Sequence, residues 1–271
     1  MTCDTHATMN PQAEVKLGVV AFLNSRPLIE GLDQDADMGL HFAVPSALAR
    51  LLRTGRVDAA LVPVIDVARS GGRWERISTG GILSDGETLT VRVFSRVPPE
   101  RLETLHVDGD SHTSVVLARL IWQHWYRRLI QILPLQELAC AEACASVLLI
   151  GDKVVTDRPR GFDHEVDLGL AWKQWTGLPF VFAVWAANAG APGNAALSRR
   201  LDEARDRGVA RAADLAREHG PLRGWPADLA VRYLTQNLSF RLTPEAVEGM
   251  RRFISLATAE GLAVGAEERV T

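Results

Sequence analysis

The stretch VKLGVVAFLNSRPLIEGL, residues 15–32, sets an apolar run, a polar turn and a second apolar run in series. The β-branched run 15–23 predicts a buried parallel strand, and RPLIEGL predicts the helix that follows it. Asn24 and Ser25 interrupt the apolar run where the strand ends. They are either a helix cap or groups that hold a ligand, since an Asn side chain offers both a donor and an acceptor.

The next segments extend this unit. LHFAVP (40–45) predicts a second strand, and PSALARLLRTGRVD predicts a helix with a Ser46 cap and a stop at Gly55. DAALVPVIDVA (58–68) predicts a third strand. The order β-α-β-α-β is one half of a doubly wound α/β sheet.

A second α/β unit begins after the break at Pro98 and Pro99. TLHVDG predicts a strand, residues 112–130 a helix with one apolar side, and CASVLLIGD (144–152) another strand. Residues 177–187 are strand-like, and the chain is predicted to be helical from about 194 onward. Two crossing strands between the units predict two lobes around a cleft: 15–96 with 189–271 as lobe 1, 97–188 as an inserted lobe 2, and 1–14 as a flexible leader.

Composition narrows the classes of function. The 271-residue chain has a formal net charge of −3 with acids and bases mixed along it, so no basic stripe is available for a nucleic-acid backbone. No apolar run reaches the roughly 18 residues that span a bilayer. The polar N-terminal stretch 1–16 lacks the apolar core of a secretory signal, which favours a cytoplasmic protein.

A second polar turn lies in DGDSHTSVVLARL, residues 108–120. Ser111, Thr113 and Ser114 stand where a long helix begins, so their hydroxyls and the free backbone N–H groups can converge on an anion. An ordinary helix cap is the alternative. Arg26 in the first turn can reach a carboxylate or can be a solvated side chain.

Gly151 and Asp152 form a third polar strand end, where Asp152 is either a cap or an acid, base or hydroxyl ligand. His112 is a candidate base. Cys140 and Cys144 are four residues apart, and nothing nearby in the sequence completes a zinc set with them.

Three tryptophans, Trp172, Trp175 and Trp185, lie around the second predicted crossing. Their density can line a pocket for a planar ligand or pack the hinge, and hinge packing is the favoured interpretation for Trp172 and Trp175.

Six segments resemble, in order from about residue 15 to 264, the menaquinone-biosynthesis family of the futalosine route, in particular its chorismate dehydratase branch. They are GVVAFLNSRPLIEGL, RVDAALVPVIDVARSG, DGDSHTSVVLARL, SVLLIGDKVV, DLGLAWKQWTGLPFVFAVWAA and YLTQNLSFRLTPEAVEGMRRFISLATAEGL. The resemblance implies a two-lobed α/β fold of the type II periplasmic-binding-protein kind in a cytoplasmic enzyme. It further implies elimination of water from chorismate to give 3-[(1-carboxyvinyl)oxy]benzoate, with no metal or other cofactor.

The opening turn distinguishes two branches of the family. Phe-Leu-Asn-Ser-Arg-Pro is similar to the chorismate dehydratase pattern, whereas the 1,4-dihydroxy-6-naphthoate synthase branch typically opens on a Ser-Pro-Cys-Pro-Asn-Asp type stretch. Two positions depart from the pattern: the third predicted strand ends in VPVIDVA, where relatives often carry Ser after the Val, and His112 stands where Arg is commoner. A two-lobed protein that binds a small carboxylate without chemistry is the competing class.

The resemblance and the polar turns together yield a set of predicted site residues. The hypothesis puts one substrate carboxylate on the helix N-terminus at Ser111, and the other end with the leaving hydroxyl on the Asn24 turn. The proton acceptor is left open between an enzyme side chain and the substrate's own enolpyruvyl carboxylate. The expected partner is the small-molecule substrate, with a homodimer as an open alternative. The predicted catalytic residues are Asn24 and Asp152, and the predicted substrate-binding residues are Ser25, Arg26, Thr90, Ser111, His112, Thr113, Ser114 and Gly151.

Overall fold

The computed structural model describes residues 15–264. The predicted flexible leader, residues 1–14, lies outside the described residues. Within 15–264 the strands form two sheets, one of six strands and one of five. Each sheet with its helices makes one of the two predicted lobes.

The chain starts in the first lobe. Its elements there are β1 Val15–Val20, a 3-10 helix Leu23–Leu28, β2 Met38–Ala43, α1 Pro45–Arg53, β3 Ala59–Pro63, α2 Val64–Arg69 and β4 Trp74–Ser84. It then enters the second lobe, with β5 Val91–Ser95, a 3-10 helix Pro99–Arg101, β6 Thr104–Val107, α3 His112–His124, β7 Gln131–Pro134, a 3-10 helix Leu138–Ala143, β8 Ser146–Ile150, α4 Lys153–Thr156, β9 His164–Asp167 and α5 Leu168–Thr176.

The remaining elements return to the first lobe. They are β10 Phe180–Asn188, α6 Asn194–Ala210, α7 Ala212–His219, a 3-10 helix Pro221–Arg223, α8 Ala227–Arg232, a π-helix Tyr233–Asn237, β11 Ser239–Arg241 and α9 Pro244–Ala259. No helix within residues 15–264 is long and apolar enough to cross a membrane.

Both sheets are mixed. The first has the order β11-β4-β10-β3-β1-β2, with β1 parallel to β2 and β3 and with β10 antiparallel to both β3 and β4. The second has the order β7-β6-β8-β5-β9, with β6 parallel to its two neighbours and β5 antiparallel to β8 and β9. The carboxyl ends of β1 and β8, followed by Phe22 and Gly151, meet at the gap between the lobes.

The strand pairing shows that the chain passes from one lobe to the other at places that differ from the predicted boundaries at 97 and 188. Strand β5 pairs within the second sheet and β10 within the first, so the chain changes lobes between Ser84 and Val91 and again between Asp167 and Phe180. In both places the change falls in the loop or helix that joins two strands, and not within a strand.

Other expectations are corrected by local geometry. The predicted strand 58–68 ends at Pro63, and Val64–Arg69 is helical. The sequence did not show this, because the periodicity of a short apolar run does not distinguish a buried strand from a buried helix. Helix α1 begins at Pro45 without a side-chain cap, so Ser46 lies inside its first turn. The long late helical region is interrupted by the short strand β11, which adds an edge to the first sheet.

Aromatic side chains pack where the chain returns to the first lobe. Trp172 is fully buried, and its ring meets Phe180, Phe253 and Trp175 at centroid distances of 5.3, 6.3 and 5.5 Å. Trp185 is also fully buried. The tryptophans pack the second crossing and do not line the cleft.

Candidate active site

A cavity lies between the two lobes, and its open space, counted out to bulk solvent, is about 480 Å³. Residues of both sheets line it, including the segments that follow β1 and β8, the last residue of β3 and the N-terminus of α3. The two polar turns that the sequence singled out therefore face one shared cavity. Of the ten predicted site residues, five line it: Asn24, Thr90, Ser111, Ser114 and Gly151.

The first turn places Asn24 at the cavity. Strand β1 ends at Val20, and the chain turns into a 3-10 helix in which Asn24 is 8% exposed. The Asn24 Nδ2 group donates to the Tyr233 hydroxyl at 3.3 Å, whereas Oδ1 is buried and has no partner among the described residues. Ser25 faces the other way, because its Oγ donates to the Phe22 carbonyl at 3.0 Å.

Asp152 holds this turn from the opposite lobe. Its two carboxylate oxygens accept from the Leu23 backbone N–H at 3.1 and 3.2 Å, and Arg223 Nε lies 3.7 Å away. Burial raises the pKa of Asp152, although the Leu23 N–H and Arg223 act in the opposite direction. Asp152 is not in the cavity lining, so its contacts are those of a clamp between the lobes.

The second turn is built by capping. Ser111 is the N-cap of α3, and its Oγ accepts from the Ser114 N–H at 3.3 Å and from the Ser114 hydroxyl at 3.0 Å. Both serines line the cavity. The first N–H groups of a helix have no intrahelical acceptor, so this end of α3 offers backbone donors beside two hydroxyls.

Thr113 and His112 point away from the cavity towards α2 of the first lobe. Thr113 is fully buried, and its Oγ1 accepts from the Ile65 N–H at 3.3 Å. The His112 Nδ1 lies 2.8 Å from Asp66 Oδ2. Together with the bond from the Ser46 N–H to the Asp110 carbonyl at 3.0 Å, these contacts join the lobes beside the site.

Arg26 also lies outside the cavity lining. Its guanidinium stacks over the Phe42 ring at 5.3 Å. Burial, followed by repulsion from Arg223, lowers the pKa of Arg26 to about 10. The side chain packs behind the turn, and its position does not present the charge to the cavity.

Gly151 brings the two lobes close together. Its φ is +75°, and a Cβ at this position would lie 2.7 Å from the Phe22 ring. A side chain at residue 151 would therefore meet both backbone strain and a clash. Because Phe22 lines the cavity, this approach shapes one wall of the site.

Asp167 positions the loop that carries Thr88 and Thr90. It caps α5 and also accepts from the backbone N–H groups of Thr88 and Leu89, at 3.0 and 2.8 Å. Leu89 takes a left-handed φ of 68° in this loop. These bonds fix the segment between Ser84 and Val91, where the chain first changes lobes, beside the cavity. Thr88 and Thr90 in this segment line the cavity and carry hydroxyls.

Sequence reasoning missed several lining residues, above all Tyr233, whose ring is 1% exposed and stacks on Trp225 at 4.8 Å. Its hydroxyl lies 2.7 Å from Thr90 Oγ1. Tyr233 begins the segment YLTQNLSFRL, which is part of the family resemblance. The pattern of apolar residues around it is that of an ordinary helix, so nothing in the sequence marked Tyr233 as a site residue. Phe182 was missed because it lies in an apolar run typical of core, and Leu238 was missed because a single leucine between polar residues carries no signal of a site.

The cavity wall carries no formal charge. The lining residues within 15–264 are apolar, hydroxyl, amide or glycine, with no Lys, Arg, His, Asp or Glu among them. No group of three or more His, Cys, Asp or Glu side chains in that range could hold a metal ion. Among residues 15–264, the donors that this cavity offers to an anion are hydroxyls, the Asn24 amide and backbone N–H groups.

Comparison of the sequence with known proteins identifies the family to which the chain belongs. The family model described as menaquinone biosynthesis matches residues 15–259. The chain belongs to this family. Among curated relatives, the chorismate dehydratase of Thermus thermophilus is 29% identical over 258 residues, which are 88% of this chain and 93% of the relative. The chorismate dehydratase of Campylobacter jejuni is 28% identical over 162 residues, 60% of this chain and 58% of the relative.

Solved structures support the fold of this menaquinone-biosynthesis family member. A crystal structure of an Archaeoglobus fulgidus protein has a TM-score of 0.74 at 13% identity and covers 92% of this chain and 98% of its own. The alkanesulfonate-binding protein of Xanthomonas axonopodis bound to MOPS has a TM-score of 0.65 at 13% identity, covering 93% and 94%. A periplasmic aliphatic sulphonate binding protein of Escherichia coli has a TM-score of 0.62 at 14% identity, covering 93% and 94%. The predicted periplasmic-binding-protein-like fold is confirmed.

Proposed function

We propose that the chain is a chorismate dehydratase, a hydro-lyase that eliminates water from chorismate to form 3-[(1-carboxyvinyl)oxy]benzoate in menaquinone biosynthesis via futalosine. Two curated relatives carry that name. The observation that carries the proposal is the single cavity lined by Asn24 from one lobe and by Ser111 and Ser114 from the other. The same cavity also has apolar walls, with Phe22 and Phe182 among its lining residues.

Two carboxylates of the substrate need two groups of donors. Ser111 and Ser114 with the N-terminus of α3 supply one group, because oriented hydroxyls and amides stabilise an anion without a full positive charge. The other end of the substrate lies towards the Asn24 turn, with Thr88 and Thr90 beside it. Phe22 and Phe182 supply apolar walls for the ring between the two ends.

The reaction removes one proton from a ring carbon and the hydroxyl from the neighbouring carbon. The electron pair of the C–H bond becomes the new ring double bond, the hydroxyl departs with the pair of the C–O bond, and the proton joins it to form water. Aromaticity of the product drives the step. The protein's task is to hold the leaving hydroxyl and the proton acceptor in place while the closed lobes keep bulk water out.

The neutral cavity wall favours the substrate's own enolpyruvyl carboxylate as proton acceptor. The two side chains predicted as candidate bases, Asp152 and His112, are engaged with Leu23 and Asp66 outside the cavity lining. An Asp152→Asn, His112→Ala double variant is expected to keep most of its turnover number. A loss of about 100-fold or more with an intact fold would assign the proton to one of these groups.

The activity is tested by incubating the purified protein with chorismate and recording proton NMR spectra over time. The expected result is a new set of aromatic resonances of 3-[(1-carboxyvinyl)oxy]benzoate that grows as the chorismate resonances fall. Samples without protein, and with the Asn24→Ala variant, are the controls. Chorismate that stays unchanged in the presence of the protein would reject the proposal.

The alternatives predict different results in the same tube. A binding protein without chemistry would broaden or shift the chorismate resonances and form no product. A 1,4-dihydroxy-6-naphthoate synthase would leave chorismate untouched. The cytoplasmic location remains a prediction of the sequence, and a homodimer remains an open alternative.

A further inference from the structure

Tyr233 stands in the cavity wall without a role in the proposal so far. It begins the five-residue π-helix Tyr233–Asn237 directly after α8. Single π turns inserted next to α-helices are frequent at functional sites. The ring is buried and stacked on Trp225, with centroids 4.8 Å apart and planes at 19°.

The Tyr233 hydroxyl joins two cavity residues from different parts of the fold. It accepts from Asn24 Nδ2 at 3.3 Å and lies 2.7 Å from Thr90 Oγ1. Asn24 belongs to the first lobe and Thr90 to the segment that enters the second lobe. Burial raises the pKa of Tyr233, so the phenol keeps its proton and can donate it.

These contacts have a direction. With Asn24 Nδ2 donating to the phenol oxygen, the phenol proton is free to point at Thr90 Oγ1, and the Thr90 hydroxyl keeps its own proton for another acceptor. Asn24 Oδ1 is then left as a buried acceptor with no partner among residues 15–264. A buried acceptor without a donor costs free energy, and the ligand is the group that can supply the donor.

We propose that Tyr233 is a positioning residue, which fixes the Asn24 amide with Oδ1 towards the ligand and leaves the Thr90 hydroxyl as a donor beside it. The pair recognises a ligand that carries a hydroxyl next to an oxygen acceptor. This inference rests on the proposed function, because the leaving hydroxyl and the adjacent enol ether oxygen of chorismate are such a pair. Tyr233 acts through Asn24 and takes no part in the proton transfer.

The kinetic test uses five proteins: wild type, Tyr233→Phe, Asn24→Ala, their double variant, and Tyr126→Phe. Tyr126 is the matched control, because it is the other tyrosine of the chain, and its half-buried ring contacts Trp122 away from the cavity. For Tyr233→Phe, kcat with chorismate should fall about 10-fold or more while KM changes less than about 3-fold. For Tyr126→Phe, both constants should stay within about 2-fold of wild type.

A merely structural role is excluded by the double variant. If Tyr233 acts mainly through Asn24, removing its hydroxyl in the Asn24→Ala background should lower kcat by less than about 3-fold, because only the contact with Thr90 is then left to lose. The inference is overturned if Tyr233→Phe turns over like wild type, if it raises KM instead of lowering kcat, or if its loss is the same size in both backgrounds.

A second measurement keeps this test apart from the test of the proposed function. In ¹⁵N-labelled free protein, the Asn24 side-chain amide signals are assigned by their loss in Asn24→Ala. Tyr233→Phe should shift them and speed their exchange with water, and Tyr126→Phe should not. Unchanged Asn24 signals would overturn the inference even if the protein turns over chorismate. A wild-type protein that is inactive on chorismate would instead reject the proposed function, and the Asn24 signals would still decide the role of Tyr233.

Discussion

The two polar turns that face each other across the cavity are built in different ways. In the Ser111 turn the two residues that face the cavity bond to each other: Ser111 caps the helix that follows it, and Ser114, three residues on, donates to Ser111. In the Asn24 turn, a 3-10 helix without a side-chain cap, the bonds come from Asp152 of the opposite lobe and from Tyr233 far along the chain. The cavity-facing bonds of one turn therefore lie within four residues, whereas those of the other depend on the assembled fold.

The largest effect is expected at the turn that depends on the fold. Among residues 15–264, Asn24 is the one amide side chain that lines the cavity, so in Asn24→Ala kcat should fall about 100-fold or more. The thermal midpoint should change little, since Asn24 makes one side-chain bond, to Tyr233. Steady-state kinetics and calorimetry check this, with Asn194→Ala as the matched control far from the cavity. Activity equal to wild type in the folded variant would contradict the role of Asn24.

The contact that brings the lobes together comes next. Gly151→Ala adds a Cβ 2.7 Å from the Phe22 ring at a φ of +75°, whereas Gly177→Ala meets nothing within 4 Å at a φ of +76°. Both should lose about 1–2 kcal/mol of unfolding free energy to backbone strain, and Gly151→Ala about 1–3 kcal/mol more. KM should rise about 10-fold in Gly151→Ala alone, because Phe22 lines the cavity.

Denaturant unfolding and kinetics of this glycine pair separate strain from contact. If both variants lose the same stability and keep the same KM, the approach of Gly151 to Phe22 does not shape the site. The dependence of the Asn24 turn on the assembled fold would then be due to Asp152 and Tyr233 alone.

A smaller effect separates neighbours within the Ser111 turn. Ser114→Ala removes a cavity hydroxyl, so KM should rise about 10-fold, the equivalent of about 1.4 kcal/mol. Thr113→Val keeps the shape but removes the acceptor of the buried Ile65 N–H, so it should lower stability by about 1–3 kcal/mol with KM unchanged. Equal rises in KM for the two variants would show that Thr113 also reaches the ligand.

The smallest effect is a pH dependence at Asp152. Its pKa is raised from 3.8, and burial is the main cause. A carboxyl that binds its proton more tightly in the folded state makes stability fall as the pH rises from the unfolded pKa through the folded one, with no further change above.

The measured quantity is the free energy of unfolding of wild type minus that of Asp152→Asn. It should decline as the pH rises from 3.8 through the raised pKa and then level off. Asp163→Asn, at an exposed loop position, is the matched control. A difference that grows with pH over this window would show that the contacts with Leu23 and Arg223 outweigh burial.

Local signals account for what was predicted correctly. A Ser cap before an apolar helix and a β-branched run before Asn24 are short-range patterns, and they located both turns in the sequence. Which side chain of each turn faces the cavity did not follow from these patterns. The Ser25 hydroxyl donates to the Phe22 carbonyl, and the Thr113 hydroxyl accepts from the Ile65 N–H. Each of these hydroxyls is thus engaged with a backbone group instead of the cavity.

By itself, the sequence determined the two α/β lobes, the family resemblance and the positions of the polar turns, because strand, helix and cap patterns act over a few residues. Tertiary structure alone decided that Tyr233 meets Asn24, that Asp152 clamps the Leu23 backbone from the other lobe, and that residues 15–264 contribute no charged side chain to the cavity wall. These features join residues that are 209 and 129 positions apart, and such pairs are brought together only when both sheets have formed and the lobes have packed against each other.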